Sequence, residues 1–188
     1  NPWTWVSGQG WRVNGTGAAP SQQRLLSPVL TASGGLFSVD ARHFFDFEAA
    51  SPTSCFDGGN VKVSINGGAF QVLAPSSGRG YTGPISGNFG NPLAGQQAFC
   101  GQSGGVVSSV FEANLVAGTQ VRLALDAGWD DSFQTPNPNW RLESATIRLG
   151  DQVTPPPNVV PEPSTYALLG MGLGGVGFIA RRRRATKA

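Results

Sequence analysis

Residues 36–48 constrain this chain more than any other stretch, because Phe37, Val39, Ala41, His43, Phe45 and Phe47 occupy every second position. A period of two puts these side chains on one face of an extended strand, whereas a helix would scatter them. The same alternation returns further on. Val61, Val63 and Ile65 alternate with Lys62 and Ser64, and Asn66-Gly67-Gly68 then supplies the positive-φ residues of a tight hairpin into 69–73. Residues 106–115 and 121–126 form two more strands joined across Ala117-Gly118, and 25–30 forms a short one. Along 141–149, Leu142, Ser144, Thr146 and Arg148 are expected on one face, with Arg141, Glu143, Ala145, Ile147 and Leu149 on the other. Seven or eight strands with glycine turns, and no helical pattern before Pro161, predict an all-β fold: an antiparallel two-sheet sandwich over residues 1–150. Residues 78–105, glycine-rich and carrying Pro84 and Pro92, read as one long loop.

The formal charge of +2 misleads, because it is unevenly placed. Residues 1–150 carry eight Lys/Arg against nine Asp/Glu, net −1, while 151–188 carry five against two, net +3. The sandwich therefore has no electrostatic footprint for nucleic acid. Cys55 and Cys100 suit an oxidising compartment and are expected to pair, the alternative being two buried thiols. Their spacing excludes CxxC chemistry.

The C-terminal part has a different physics. Residues 151–160, with Pro155-Pro156-Pro157, read as a stiff spacer. Pro161-Glu162-Pro163 follows, then an uncharged run over 165–180, then Arg181, Arg182, Arg183 and Arg184. As a helix the run spans roughly 24 Å, short of the ~30 Å hydrocarbon layer, and the arginine stems can snorkel to make up length. Gly170, Gly172, Gly174, Gly175 and Gly177 would weaken a soluble helix but are ordinary in a membrane. One transmembrane helix is expected, with the arginines on the cytoplasmic side and the sandwich across the inner membrane. In this order the three parts resemble the PEP-CTERM sorting signal of Gram-negative bacteria over 161–188. The resemblance implies recognition and cleavage near the Pro-Glu-Pro by an exosortase, and release to the cell surface or an exopolysaccharide matrix. Export needs a leader; since the chain opens on Asn1-Pro2-Trp3, that leader is expected to have been removed ahead of this numbering.

A second series runs through the sandwich. Phe45-Asp46-Phe47-Glu48, Cys55-Phe56-Asp57-Gly58-Gly59-Asn60-Val61, Tyr81-Thr82-Gly83, Asn91-Pro92-Leu93-Ala94-Gly95 and Asn139-Trp140-Arg141-Leu142-Glu143 are its main pieces. Together they resemble the jelly-roll module that follows the catalytic domain in immune-inhibitor-A-type secreted metallopeptidases, related to MAM-like domains. The resemblance implies an accessory β-sandwich with an adhesive or binding role, sometimes stabilised by calcium. Glu48, Asp57 and Glu143 match positions where that family places acids; where it often has a further acid, this chain has Ser144.

Asp126, Asp130 and Asp131 cluster in sequence beside Trp129, and acids next to an aromatic can hold a sugar or a cation. Catalysis has little behind it. His43 is the sole histidine and sits in the apolar register of its strand, and neither HExxH nor GxSxG is present. The function expected is a non-enzymatic surface or matrix protein that binds polysaccharide or another envelope component, with Trp3, Trp5, Tyr81, Phe89 and Trp129 available to stack on sugars. A hydrolase using acids near Trp129 and Trp140, and a ligand-free matrix component, are the alternatives.

Overall fold

The computed structural model describes residues 2–15, 19–130, 135 and 138–150. The spacer 151–160, the expected helix 165–180, Pro161, Glu162, Pro163, Arg181, Arg182, Arg183, Arg184 and also Asp131 lie outside the described residues. Among the described residues no helix is long and apolar enough to cross a membrane.

The chain opens with a hairpin, β1 (Thr4–Val6) and β2 (Gly10–Val13), then runs through β3 (Ser21–Leu26), β4 (Leu30–Thr31) and the long β5 (Gly35–Phe47). Short β6 (Ala49–Ser51) and β7 (Ser54–Cys55) lead into β8 (Gly58–Ile65) and β9 (Gln71–Val72). The segment read as a loop begins on β10 (Ser77–Gly78) and contains three further two-residue strands: β11 (Gly83–Pro84), β12 (Gln97–Ala98) and β13 (Gly101–Gln102). β14 (Val107–Leu115), β15 (Gln120–Trp129) and β16 (Trp140–Leu149) complete the order. The first sheet runs β1-β2-β16-β5-β14-β10, with β13 also on β5; the second runs β3-β15-β8-β9, with β4 also on β15. All these pairings are antiparallel. The long strands change sheet at each step from β2 to β3, β5, β8, β14, β15 and β16, so that both sheets of the sandwich are built by the whole length of the chain.

Local chemistry explains the elements. The expected face of β5 is buried throughout: Phe37, Val39, Ala41, His43, Phe45 and Phe47 all lie in the interior. Asn66 and Gly67 both take positive φ, at 50° and 75°, and the Gly68 N–H closes the turn on the Ile65 carbonyl at 2.9 Å. That is the twist a tight turn needs where the chain reverses from β8 towards β9. Gly59 serves a different purpose, since a Cβ there would sit 2.5 Å from the Trp140 ring. Only a bare backbone lets that indole lie across β8.

One expectation needs correcting. In β16 a bulge between Leu142 and Ser144 shifts the register against β5. The extra residue turns Ala145, Ile147 and Leu149 onto the same inward face as Leu142 rather than the opposite one. Cys55 and Cys100 are joined, with Cα atoms 5.6 Å apart. Every described strand, the core and this bridge lie within the compact unit Asn1–Gln152, so that unit holds everything an independent fold needs.

His43 shows how tightly the interior is specified. Its Nδ1 accepts the Trp140 indole N–H at 3.1 Å, so the proton sits on Nε2, which donates to Ser109 Oγ at 2.9 Å. Ser109 Oγ in turn donates to the Arg79 carbonyl. Burial, helped by the Arg79 charge, lowers the imidazole pKa from 6.5 to about 4. The unfolded chain therefore binds this proton more readily, so His43 contributes stability above pH ~6.5 that is lost as pH falls towards 4, at most about 3 kcal/mol. The melting temperature of the wild type is expected to fall more steeply than that of His43→Gln across this window. Parallel pH profiles for the two would exclude the assignment.

Candidate functional site

Three carboxylates converge where β5, β8 and β15 end together. Glu48 follows β5 directly, and its carbonyl accepts the N–H groups of Phe56 and Asp57 at 3.2 and 3.1 Å. That folds the β6–β7 excursion back, so that Asp57 enters β8 beside Glu48. Asp130 follows β15, which pairs with β8 as far as Gly128 opposite Gly58. The Asp57 carboxylate accepts the Asp130 N–H at 2.8 Å. One oxygen from each of Glu48, Asp57 and Asp130 lies within 4.8 Å of the others.

The three carboxylates repel one another in this arrangement. Asp57 and Asp130 are only 1% and 2% exposed. Burial, opposed by the Asp130 N–H and reinforced by the Asp130 and Glu48 charges, pushes the Asp57 pKa up to about 7. Burial and the Asp130 charge raise Glu48 as well. Glu48 Oε2 is buried and has no hydrogen-bond partner. Hard oxygen donors without nitrogen or sulfur, converging from three strands, fit a calcium-like ion and do not fit zinc. Such an ion would relieve the mutual repulsion and occupy the orphaned oxygen. Millimolar Ca²⁺ is expected to raise the melting temperature of the wild type and not of Asp130→Asn. An equal rise in both would remove the site.

The sequence placed Glu143 in this group, and the structure corrects that. Glu143 lies on β16, where its carboxylate takes a hydrogen bond from Arg141 at 3.0 Å and lies 3.9 Å from Arg42. Asp130 stands in its place. The cluster proposed beside Trp129 also separates. Trp129 is fully buried, tilted against Phe47, with its indole N–H donated to Asn139 Oδ1 at 3.0 Å, so it offers no face to a sugar. Asp126 points to the opposite side of β15. There it takes a two-pronged contact from Arg24 at 2.5 and 2.6 Å and an ion pair from Lys62 at 2.8 Å. Burial alone would raise the Asp126 pKa; the bonds from Arg24 and Lys62 outweigh it and hold the carboxyl below its usual range.

Among the aromatics expected to stack on sugars, Trp3 is buried and Tyr81 is half-buried, its hydroxyl donating to the Leu73 carbonyl at 2.8 Å. Phe89 and Trp5 are exposed, at 44% and 59%. Trp5 has a partner that the sequence reading passed over. It sits directly across the β1–β2 hairpin from Trp11, ring centroids 5.7 Å apart. The signal was there in the glycines between them, since Gly8 and Gly10 both take positive φ.

Fold and site together define an antiparallel β-sandwich with an acidic cluster at one end. The family model for the PEP-CTERM protein-sorting motif matches residues 159–184, so the chain carries the signal of an exported protein that exosortase handles from a membrane-anchored precursor. None of the curated proteins and none of the solved structures matches this chain. The resemblance to the metallopeptidase accessory module therefore rests on the residues alone.

Proposed function

We propose that the sandwich is a non-enzymatic binding module of the cell surface or extracellular matrix, and that it holds neutral polysaccharide through exposed aromatic rings. The observation that carries this reading is the Trp5–Trp11 pair, an exposed indole braced edge-on by a second one. Aromatic faces grip the C–H side of a sugar ring without needing charge, which suits a domain of net charge −1. The sorting motif supports the setting, since it sends the chain towards the compartment where such polymers lie. Against the hydrolase alternative stands the burial of Asp130, the described acid next to Trp129.

Two experiments separate the parts of this reading. On a glycan array, unit 1–152 should bind a neutral glycan and lose it in Trp5→Ala. Retained binding in that variant would defeat the platform, and turnover of the bound glycan would make the protein an enzyme. Replacing Arg181, Arg182, Arg183 and Arg184 with neutral residues should leave the tail uncleaved in the expressing cell. Unchanged processing there would count against the exosortase route.

A further inference from the structure

The two sheets do not close on each other along one side. A cavity of about 290 Å³ lies between them, walled by Ala41, Ala145 and Ile147 of the first sheet and by Leu25, Leu123 and Leu125 of the second. Its origin is local. Ala41 and Ala145 are direct partners across β5 and β16, so two of the smallest side chains stand side by side where Phe37, Val39 and Phe45 fill the rest of the face. The bulge that turns Ala145 inward is therefore what makes the space. Its mouth is open because β2 pairs with β16 only through Leu142, leaving the rest of that edge free of β2. On the facing sheet β3 stops at Leu26 and Ser27-Pro28 interrupts the edge before β4. Leu26 at this lip is 40% exposed.

We propose that this cavity is a binding site for a single aliphatic chain, the acyl or alkyl part of an amphiphile whose polar head stays in solvent. Its volume and its lining both point to that ligand. Protein interiors are close-packed, and an engineered cavity of about 150 Å³ lined by such side chains already takes up benzene. This one is about twice as large, near the lower bound of small-molecule sites. The polar side chains in its wall are committed elsewhere. His43 uses both ring nitrogens on Trp140 and Ser109, and Ser27 Oγ donates to the Pro28 carbonyl while accepting the Leu123 N–H. A sugar drawn inside would leave its hydroxyls without partners, at a prohibitive desolvation cost. A methylene chain has no hydrogen bonds to give up on entering and exchanges water for apolar contact. The site is thus distinct in chemistry from the aromatic platform, although Trp11 serves both, bracing Trp5 and lining the cavity.

The test uses the tail-less unit 1–152, first shown to melt cooperatively, and decanol bearing a terminal bromine. Trp11 and Trp140 line the cavity, so a bromine inside it quenches their fluorescence on contact. Saturable one-to-one quenching is expected, reversed by unbrominated decanol. Ala145→Phe, which places a ring in the space from an exposed edge position, should weaken binding by more than about tenfold. Ala145→Phe should leave glycan binding on the array unchanged, so failure of the glycan platform and failure of this site are distinguishable. Should Ala145→Phe not fold, amide shift changes in the wild type decide: they should centre on Ala41, Ala145 and Leu125. Non-saturating quenching, undiminished binding in the folded variant, shift changes elsewhere, or a dimer that covers the mouth would each overturn the proposal.

Discussion

Asp126→Asn is expected to destabilise the sandwich by about 3–5 kcal/mol, the usual cost of breaking a buried ion pair from one side. Asp126 is fully buried on the outer face of the second sheet, and the Lys62 side chain is only 9% exposed. Residues 91–97 lie over that face, where Asn60 Nδ2 donates to Gln96 Oε1 and to the Gln97 carbonyl, each at 3.1 Å. Lys62 is thereby held away from bulk water, and Asp126 answers its charge. Arg24, half in solvent and stacked on Phe70, tolerates the loss better. Urea unfolding of Asp126→Asn beside Asp126→Asn/Lys62→Met measures the effect, and the double variant should recover much of it. A single-variant loss under about 1 kcal/mol would show that water reaches Lys62 after all.

Removing the Cys55–Cys100 bridge should have a comparable effect. The two cysteines are 45 positions apart, and cross-linking a loop of that length contributes about 4 kcal/mol by restricting the unfolded chain. The bridge also fastens the end of the sandwich where Phe99, between the sheets, packs against His43 and Phe45. Cys55→Ser/Cys100→Ser is expected to shift the urea midpoint to match reduced wild type. An unchanged midpoint would mean that the short strands around the bridge hold without it.

The sequence carried the sandwich because its signal is local. Burial on alternate positions of β5 is written into neighbouring residues, and so is the Asn66-Gly67 turn. On β8 the expected alternation fails, because Lys62 and Ser64 are buried while Ile65 is exposed. What it did not carry depends on partners distant along the chain. The bulge in β16 is set by its pairing with β5, and without it Ala145 and Ile147 count to the wrong face. The loop over 78–105 hid β10 to β13 because each is two residues long and takes its partner from elsewhere. Glu48 and Asp57 were legible as acids beside strand ends. Asp130 was not assigned to them, because only the β8–β15 pairing shows that these strand ends coincide. Trp129 failed as a sugar platform for a related reason. An aromatic followed by acids reads as an exposed loop, yet Trp129 is the last inward residue of a strand whose next position turns away.

The position of β16 within the first sheet has a mechanical consequence. It is the last strand of the sandwich, and Gly150 follows it at once. A pull applied to Gly150 in the direction of the strand would act along β16 itself. That strand is flanked by β5 over nearly its whole length and by β2 at its start. Antiparallel hydrogen bonds lie across the direction of such a pull, so they are sheared together rather than opened one after another. A surface protein held from that end would resist drag as a clamp does, up to a threshold and then all at once.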